Sequence, residues 1–362
     1  MKGNSPQAVI SLRPPHNDEA SPAGLCMTES AADRLSRTYP STVALLRRFG
    51  TFPTPVMVTD PALDDDRLRR VRDQVVYADD WRPAAALTQE VGEDWDRRGH
   101  VLDVLARVAA NQPGWVDAWV RDEPANSAAL TVHAWADVQR AWALRGGGWA
   151  EQTDETAFLA FSAMLEHAED KCVHAAEIAG ADPTPWVVLL WLTIGQGRDR
   201  SDFDAVWAQL RSRHPENRLG HVAALQYLSQ KWYGSHAEMY EFARAAPASA
   251  PWAPVLPLQA HAEYVLYAGR GDHKSALWWE TAEVAEDLDR AVAWARSEPA
   301  HPLRVHDLSV VGYALAMAKR WSEAGEVFAM LDHRAYEYPW YYQNDPQQAY
   351  AVAHKRAMKA SR

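Results

Sequence analysis

From Glu29 onward the apolar residues of this chain recur at steps of three and four, and strand signals are nearly absent, with no Asn-Gly hairpin turn anywhere. That pattern confines the body of the chain to helix. Between Ser127 and Leu144, Leu130, Ala134, Val138, Ala141 and Trp142 keep the helical step, and Trp135 and Trp142 fall seven apart on one stripe. Gly146-Gly147-Gly148 then predicts a stop, because glycine accepts the left-handed backbone that ends helices. Thr153 to Ala179 predicts a second helix, with Phe158, Phe161, Leu165, Ala168, Cys172 and Ala176 facing inward and Gly180 ending it. Four proline–tryptophan sites, Pro113-Gly114-Trp115, Pro185-Trp186, Pro251-Trp252 and Pro339-Trp340, predict helix starts, where the missing proline N–H costs nothing. Residues 1–27 lack periodicity and are expected to form a flexible tail, with Met27 as an alternative start.

The most regular segment runs from Leu308 to Leu331. Gly312, Ala324 and Phe328 stand at the relative offsets of the glycine, alanine and phenylalanine of the tetratricopeptide pattern, so the segment resembles a tetratricopeptide helix pair. Leu308, Leu315 and Tyr336 depart from it, standing where the pattern has Trp, Tyr and Pro. Trp207 and Pro215 are spaced like the repeat's Phe and Pro in a fainter unit. The runs Ala134 to Ala150 and Gln230 to Ala243 are similar to signatures of a bacterial domain-of-unknown-function family with tetratricopeptide-like helices and no assigned reaction. These resemblances imply an all-α fold of stacked antiparallel helix pairs forming a diverged tetratricopeptide-like solenoid. The expected organisation is a helical region over 28–110, the array over 111–331 and an aromatic capping segment over 332–362.

Composition narrows the setting. Hydrophobic residues at 48% and charged residues at 23% exclude wholesale disorder. A net charge of -11 opposes phosphate backbones, so nucleic acid is not an expected partner. No apolar run approaches a membrane span and no signal-peptide core is evident, so a soluble, cytoplasmic protein is expected. Cys26 and Cys172, the only thiols, supply neither a disulfide framework nor a four-thiolate metal site.

The outlier is tryptophan, with 17 residues against 7 Phe. Most fall at helix starts or packing positions; Trp149, Trp232 and Trp340 stand beside Gly, Lys or Tyr clusters and are expected to face a ligand. Arg145 precedes the glycine run and offers a planar fork, although a helix cap explains the glycines better than a phosphate cradle does. Lys231, Trp232 and Tyr233 form a turn that either meets a ligand carboxylate or plugs a gap between repeats, and Trp340 with Tyr341 sits in a tyrosine-rich run suited equally to recognition or capping. The ligand-binding candidates are therefore Trp142, Arg145, Trp149, Lys231, Trp232, Tyr233, Trp340 and Tyr341. His167, Asp170 and His174 share one helix face and are the alternative as metal ligands, against a plain solvated face. Asp64-Asp65-Asp66 reads as helix N-terminal charge, and no Gly-x-Ser-x-Gly elbow is present. The expected function is a non-enzymatic scaffold for a protein or peptide segment, without a cofactor. The alternative is an enzyme or metabolite sensor with a His- and Trp-lined pocket, drawing on His133, His167, His174 or His221.

Overall fold

A computed structural model of the chain describes residues 57, 59–146, 155–269, 273–298, 300–332 and 334–361. The expectations for the tail, Cys26, Gly147, Gly148 and Trp149 lie outside these residues. Among the described residues the regular structure is helical, with no strand: α1 (Asp66–Ala78), α2 (Arg82–Val91), α3 (Trp95–Asn111), α4 (Gly114–Asp122), α5 (Ser127–Arg145), α6 (Glu155–Ile178), α7 (Thr184–Gln196), α8 (Arg200–Arg213), α9 (Arg218–Tyr227), α10 (His236–Arg244), α11 (Leu256–Ala268), α12 (Ala282–Arg296), α13 (Arg304–Met317), α14 (Trp321–Leu331) and α15 (Pro346–Ala360). None of them is long and apolar enough to cross a membrane.

Local chemistry sets the boundaries. The side chains of Asp65, Asp94, Asn126, Asp199, Asn217, Ser235, Thr281 and Asp345 each accept a backbone N–H of the helix they precede. Asp64-Asp65-Asp66 thus acts as helix N-terminal charge, with Asp65 as the cap of α1. Gly146 ends α5 at φ 73°, as its position after Arg145 predicted. Of the four proline–tryptophan sites, Pro113 and Pro185 open α-helices, while Trp252 and Pro339 precede short 3-10 turns, Ala253–Val255 and Trp340–Tyr342. The expected stripe on α6 is buried from Phe161 to Ala176, but Phe158 is exposed because it lies one turn beyond the helices that cover the rest.

The helices pack mainly on their neighbours in the chain. Each helix from α3 to α15 does so, and α3, α5, α7 and α9 also meet one another, as do α11, α13 and α15. One apolar core runs from Ala62 to Trp232, a second joins Leu63 to residues 255–357, and a third knits α9, α10 and α11 together. The two halves close on each other. Adjacent residues Ala62 and Leu63 belong to different large cores, the Met57 N–H donates to Gln347 Oε1 at 3.1 Å, and Arg107 of α3 reaches Tyr336. Tryptophan supplies much of the filling: Trp115, Trp119, Trp252 and Trp340 are among the largest fully buried side chains.

The Gly312–Phe328 spacing predicted a close approach, and α13 meets α14 there. A Cβ on Gly312 would lie 2.9 Å from Phe328 Cε1 and 3.5 Å from Val327 Cγ1. We expect Gly312→Ala to destabilise the protein by about 1–3 kcal/mol through overpacking, read as a lower denaturant midpoint, whereas an unchanged midpoint would mean that Phe328 turns aside freely.

Candidate functional site: a tyrosine cluster beside buried ion pairs

Where the two halves meet, α3, α9, α11 and α13 present charged side chains instead of aliphatic ones. Arg218 on α9 and Asp307 on α13 pair at 1% and 0% side-chain exposure. The guanidinium Nε donates to both carboxylate oxygens at 3.2 Å, Nη2 adds a third bond, and His306 Nδ1–H donates to Oδ1 at 3.1 Å. The Arg218 charge and these bonds hold the Asp307 carboxyl far below the usual range despite complete burial. A second buried pair, Lys231 Nζ to Glu263 Oε2, closes at 2.5 Å. The other Glu263 oxygen accepts from Gln226 at 2.8 Å, Tyr342 at 2.6 Å and Tyr338 at 3.3 Å, so this one carboxylate joins α9, α11, the turn after α9 and the C-terminal segment.

Four tyrosines lie beside these ion pairs. Tyr336 is fixed by its backbone N–H to Ser309 Oγ at 2.9 Å and by Arg107, whose Nη2 lies 3.5 Å from the phenolic oxygen. Its ring lies 4.5 Å from that of His306, and Tyr338 lies nearly parallel to the same imidazole at 6.2 Å. Tyr341 packs on Tyr342 at 4.7 Å and on Tyr338 at 5.8 Å. All four are partly buried and keep part of the ring accessible. Burial raises the pKa of all four hydroxyls, which remain protonated donors at neutral pH.

The candidates read from the sequence divide into three groups. Tyr341 belongs to the tyrosine cluster and is partly exposed. Trp340 is not: it is fully buried, edge-on to Tyr313 and Tyr350, so the expectation that it faces a ligand is corrected to one of packing. Lys231 is likewise removed from ligand duty, because Glu263 already neutralises it in the interior. The third group converges. Arg145, Trp142 and Trp232 lie far apart in sequence on α5 and in the turn after α9, and the guanidinium carbon stands 5.7 Å from the ring centres of Trp142, Trp232 and Phe161. Trp142 and Trp232 are perpendicular at 5.6 Å, and both are buried, which corrects the expectation that Trp232 is exposed. Tyr233 donates to the Ile194 carbonyl at 2.9 Å and so anchors the turn. Burial without a carboxylate partner pushes Arg145 down to about 10.

The histidines have other duties. His167, Asp170 and His174 are all exposed on α6, and among the described residues no group of three His, Cys, Asp or Glu side chains could hold a metal ion. A shallow hollow beside His167 is lined by Asp137, Arg140, Ala163 and Met164. His221 donates Nδ1–H to the Asn217 carbonyl at 2.8 Å beneath Trp207 and Trp252, and burial pushes it down to about 4. It borders a cavity of about 150 Å³ with Trp207, Arg211 and Phe242. His133 pairs with Asp117 at 3.2 Å, and its charged form is disfavoured by burial and by Lys171.

One constellation was missed in the sequence. His261, fully buried on α11, donates Nε2–H to Asp287 Oδ2 at 2.9 Å, which leaves Nδ1 as the acceptor for Trp278 Nε1–H at 3.0 Å and the Tyr240 hydroxyl at 2.8 Å. Asp287 also receives Arg244 and Arg290, and these bonds lower it to about 2. The arrangement fixes one imidazole tautomer at the meeting of α10, α11 and α12. Its only sequence signal is a polar residue at an inward helical position, as with Glu263 two residues on.

Comparison with family models, with curated proteins and with solved structures finds no match to this chain.

Proposed function

We propose that the protein is a non-enzymatic, cytoplasmic scaffold whose tetratricopeptide-like helices form a diverged solenoid, and that the cluster of Tyr336, Tyr338, Tyr341 and Tyr342 takes an extended polypeptide segment. The observation that carries this reading is the tyrosine cluster itself. Tyrosine buries much area while ordering few torsions, and here Glu263, Arg107 and Ser309 have already fixed three of the four rings before any partner arrives. The close Gly312–Phe328 contact supports the repeat reading, as does the packing of helices on their neighbours in the chain.

The test is selection from a random peptide display library on the full-length protein, followed by affinity measurement with Tyr341→Ala. Tyr341 makes ring contacts only with Tyr338 and Tyr342 among the described aromatic pairs, so its removal should leave the Glu263 network folded. We expect selected peptides to lose on the order of 2 kcal/mol, roughly thirtyfold, with Tyr341→Ala. A library that yields no peptide, or peptides insensitive to Tyr341, contradicts the reading.

The metabolite-sensing alternative has one supporting observation, the cavity of about 150 Å³ beside Trp207 and His221. It predicts ligand stabilisation that disappears when Trp207 is changed to Ala while Tyr341→Ala leaves it intact.

A further inference from the structure

We infer that Arg145, Trp142 and Trp232 form a binding site for the carboxylate of a small organic monoacid. The inference does not rest on the polypeptide reading and concerns a different part of the molecule.

Around Arg145 buried donors outnumber acceptors. Arg145 is 5% exposed, Trp142 3% and Trp232 4%. Both terminal nitrogens of Arg145 and both indole nitrogens, Trp142 Nε1 and Trp232 Nε1, are buried and have no hydrogen-bond partner. Every one of these groups donates and none accepts. Buried polar groups are ordinarily paired, and a lone buried cation is costlier still, so four unpartnered donor atoms in one aromatic cluster mark a missing acceptor. The two other buried guanidinium and ammonium groups of the interior, Arg218 and Lys231, each have a carboxylate within the chain. Arg145 has none.

The neighbours specify the acceptor. A planar guanidinium presents two parallel N–H groups that match the two oxygens of a carboxylate. The ring centres of Trp142, Trp232 and Phe161 stand 5.7 Å from the guanidinium carbon, within cation–π range, and the three rings supply apolar surface beside the fork for the carbon part of an acid. One positive charge balances one negative charge. A phosphate dianion would leave surplus charge in the interior, and chloride would satisfy neither the fork nor the apolar walls. The site is close to the surface, since Arg145 ends α5 and the preceding Leu144 is 48% exposed.

The experiment uses full-length protein, with sodium acetate and sodium benzoate as probes at an ionic strength held constant with sodium chloride. Thermal midpoint and tryptophan fluorescence are followed together. We expect a saturable rise in midpoint with a matching fluorescence change, absent in Arg145→Met. Arg145→Lys keeps the charge and loses the fork, so it should bind about tenfold more weakly, the 1.4 kcal/mol of one charge-assisted hydrogen bond. Trp232→Phe keeps the wall and loses one N–H, and should weaken binding several-fold. Stronger binding of benzoate than acetate would assign the walls to the acid's carbon part. Three results would overturn the inference: no saturable response to either acid, an equal response in Arg145→Met, or an equal response to chloride or phosphate.

Discussion

Replacing Asp307 with asparagine is expected to lower stability by about 3–5 kcal/mol, because the change leaves the Arg218 guanidinium buried without a counter-charge. The substitution preserves shape, so packing does not explain the loss. Arg218 is 1% exposed, and His306 and His301, which also lie against Asp307, lose its negative charge at the same time. For a chain of this size the midpoint should fall by roughly 5 °C. The double variant Arg218→Met with Asp307→Leu separates the cost of an orphaned charge from the worth of the pair. If the loss arises from the orphan, the double variant recovers most of it, since an apolar pair of similar volume can replace a buried ion pair at little cost. A double variant as unstable as Asp307→Asn would instead show that α9 and α13 depend on the ion pair's own geometry.

Acidification below neutrality is the second large effect. His221 is buried and neutral, with a folded value of about 4 against 6.5 for an exposed imidazole. Between these values the unfolded chain binds a proton that the folded chain refuses, so stability is fully present above pH 6.5 and is lost as pH falls toward 4. The full effect is about 3 kcal/mol for His221 alone. His100, His301 and His306 are also pushed down by burial and steepen the same slope. The carboxylates act elsewhere on the scale. Asp287 is lowered from 3.8 to about 2, so its contribution is lost only in stronger acid. Denaturant midpoints at pH 7, 6 and 5 should therefore fall progressively, and His221→Gln should flatten the curve while retaining a donor to the Asn217 carbonyl. A slope unchanged by that substitution would place the proton uptake elsewhere.

The helical class, the ends of α5 and the Gly312–Phe328 contact were legible in the sequence because each depends on residues within one helix or one helix pair. The convergence of Trp142, Arg145 and Trp232 was half legible. The three stood out by type, and the fold was needed to bring the turn after α9 against the end of α5. For Lys231 and Trp340 the sequence left ligand contact and packing both open, for a common reason. Charge and aromaticity suggest exposure to a ligand, but a distant carboxylate can neutralise the one, and close-packed helices can enclose the other. The Glu263, Asp307 and His261 networks were invisible because their partners lie on other helices. A single polar residue on an apolar helix face does not say which partner it meets.

The claim that the tyrosine cluster takes a polypeptide is tested most directly by hydrogen–deuterium exchange on the full-length protein with and without a display-selected peptide. The account predicts added protection concentrated in residues 334–343 and in the facing part of α13, and its absence with Tyr341→Ala. Protection centred on α8 and α10 around Trp207 and Phe242, or none near the tyrosines, would contradict it.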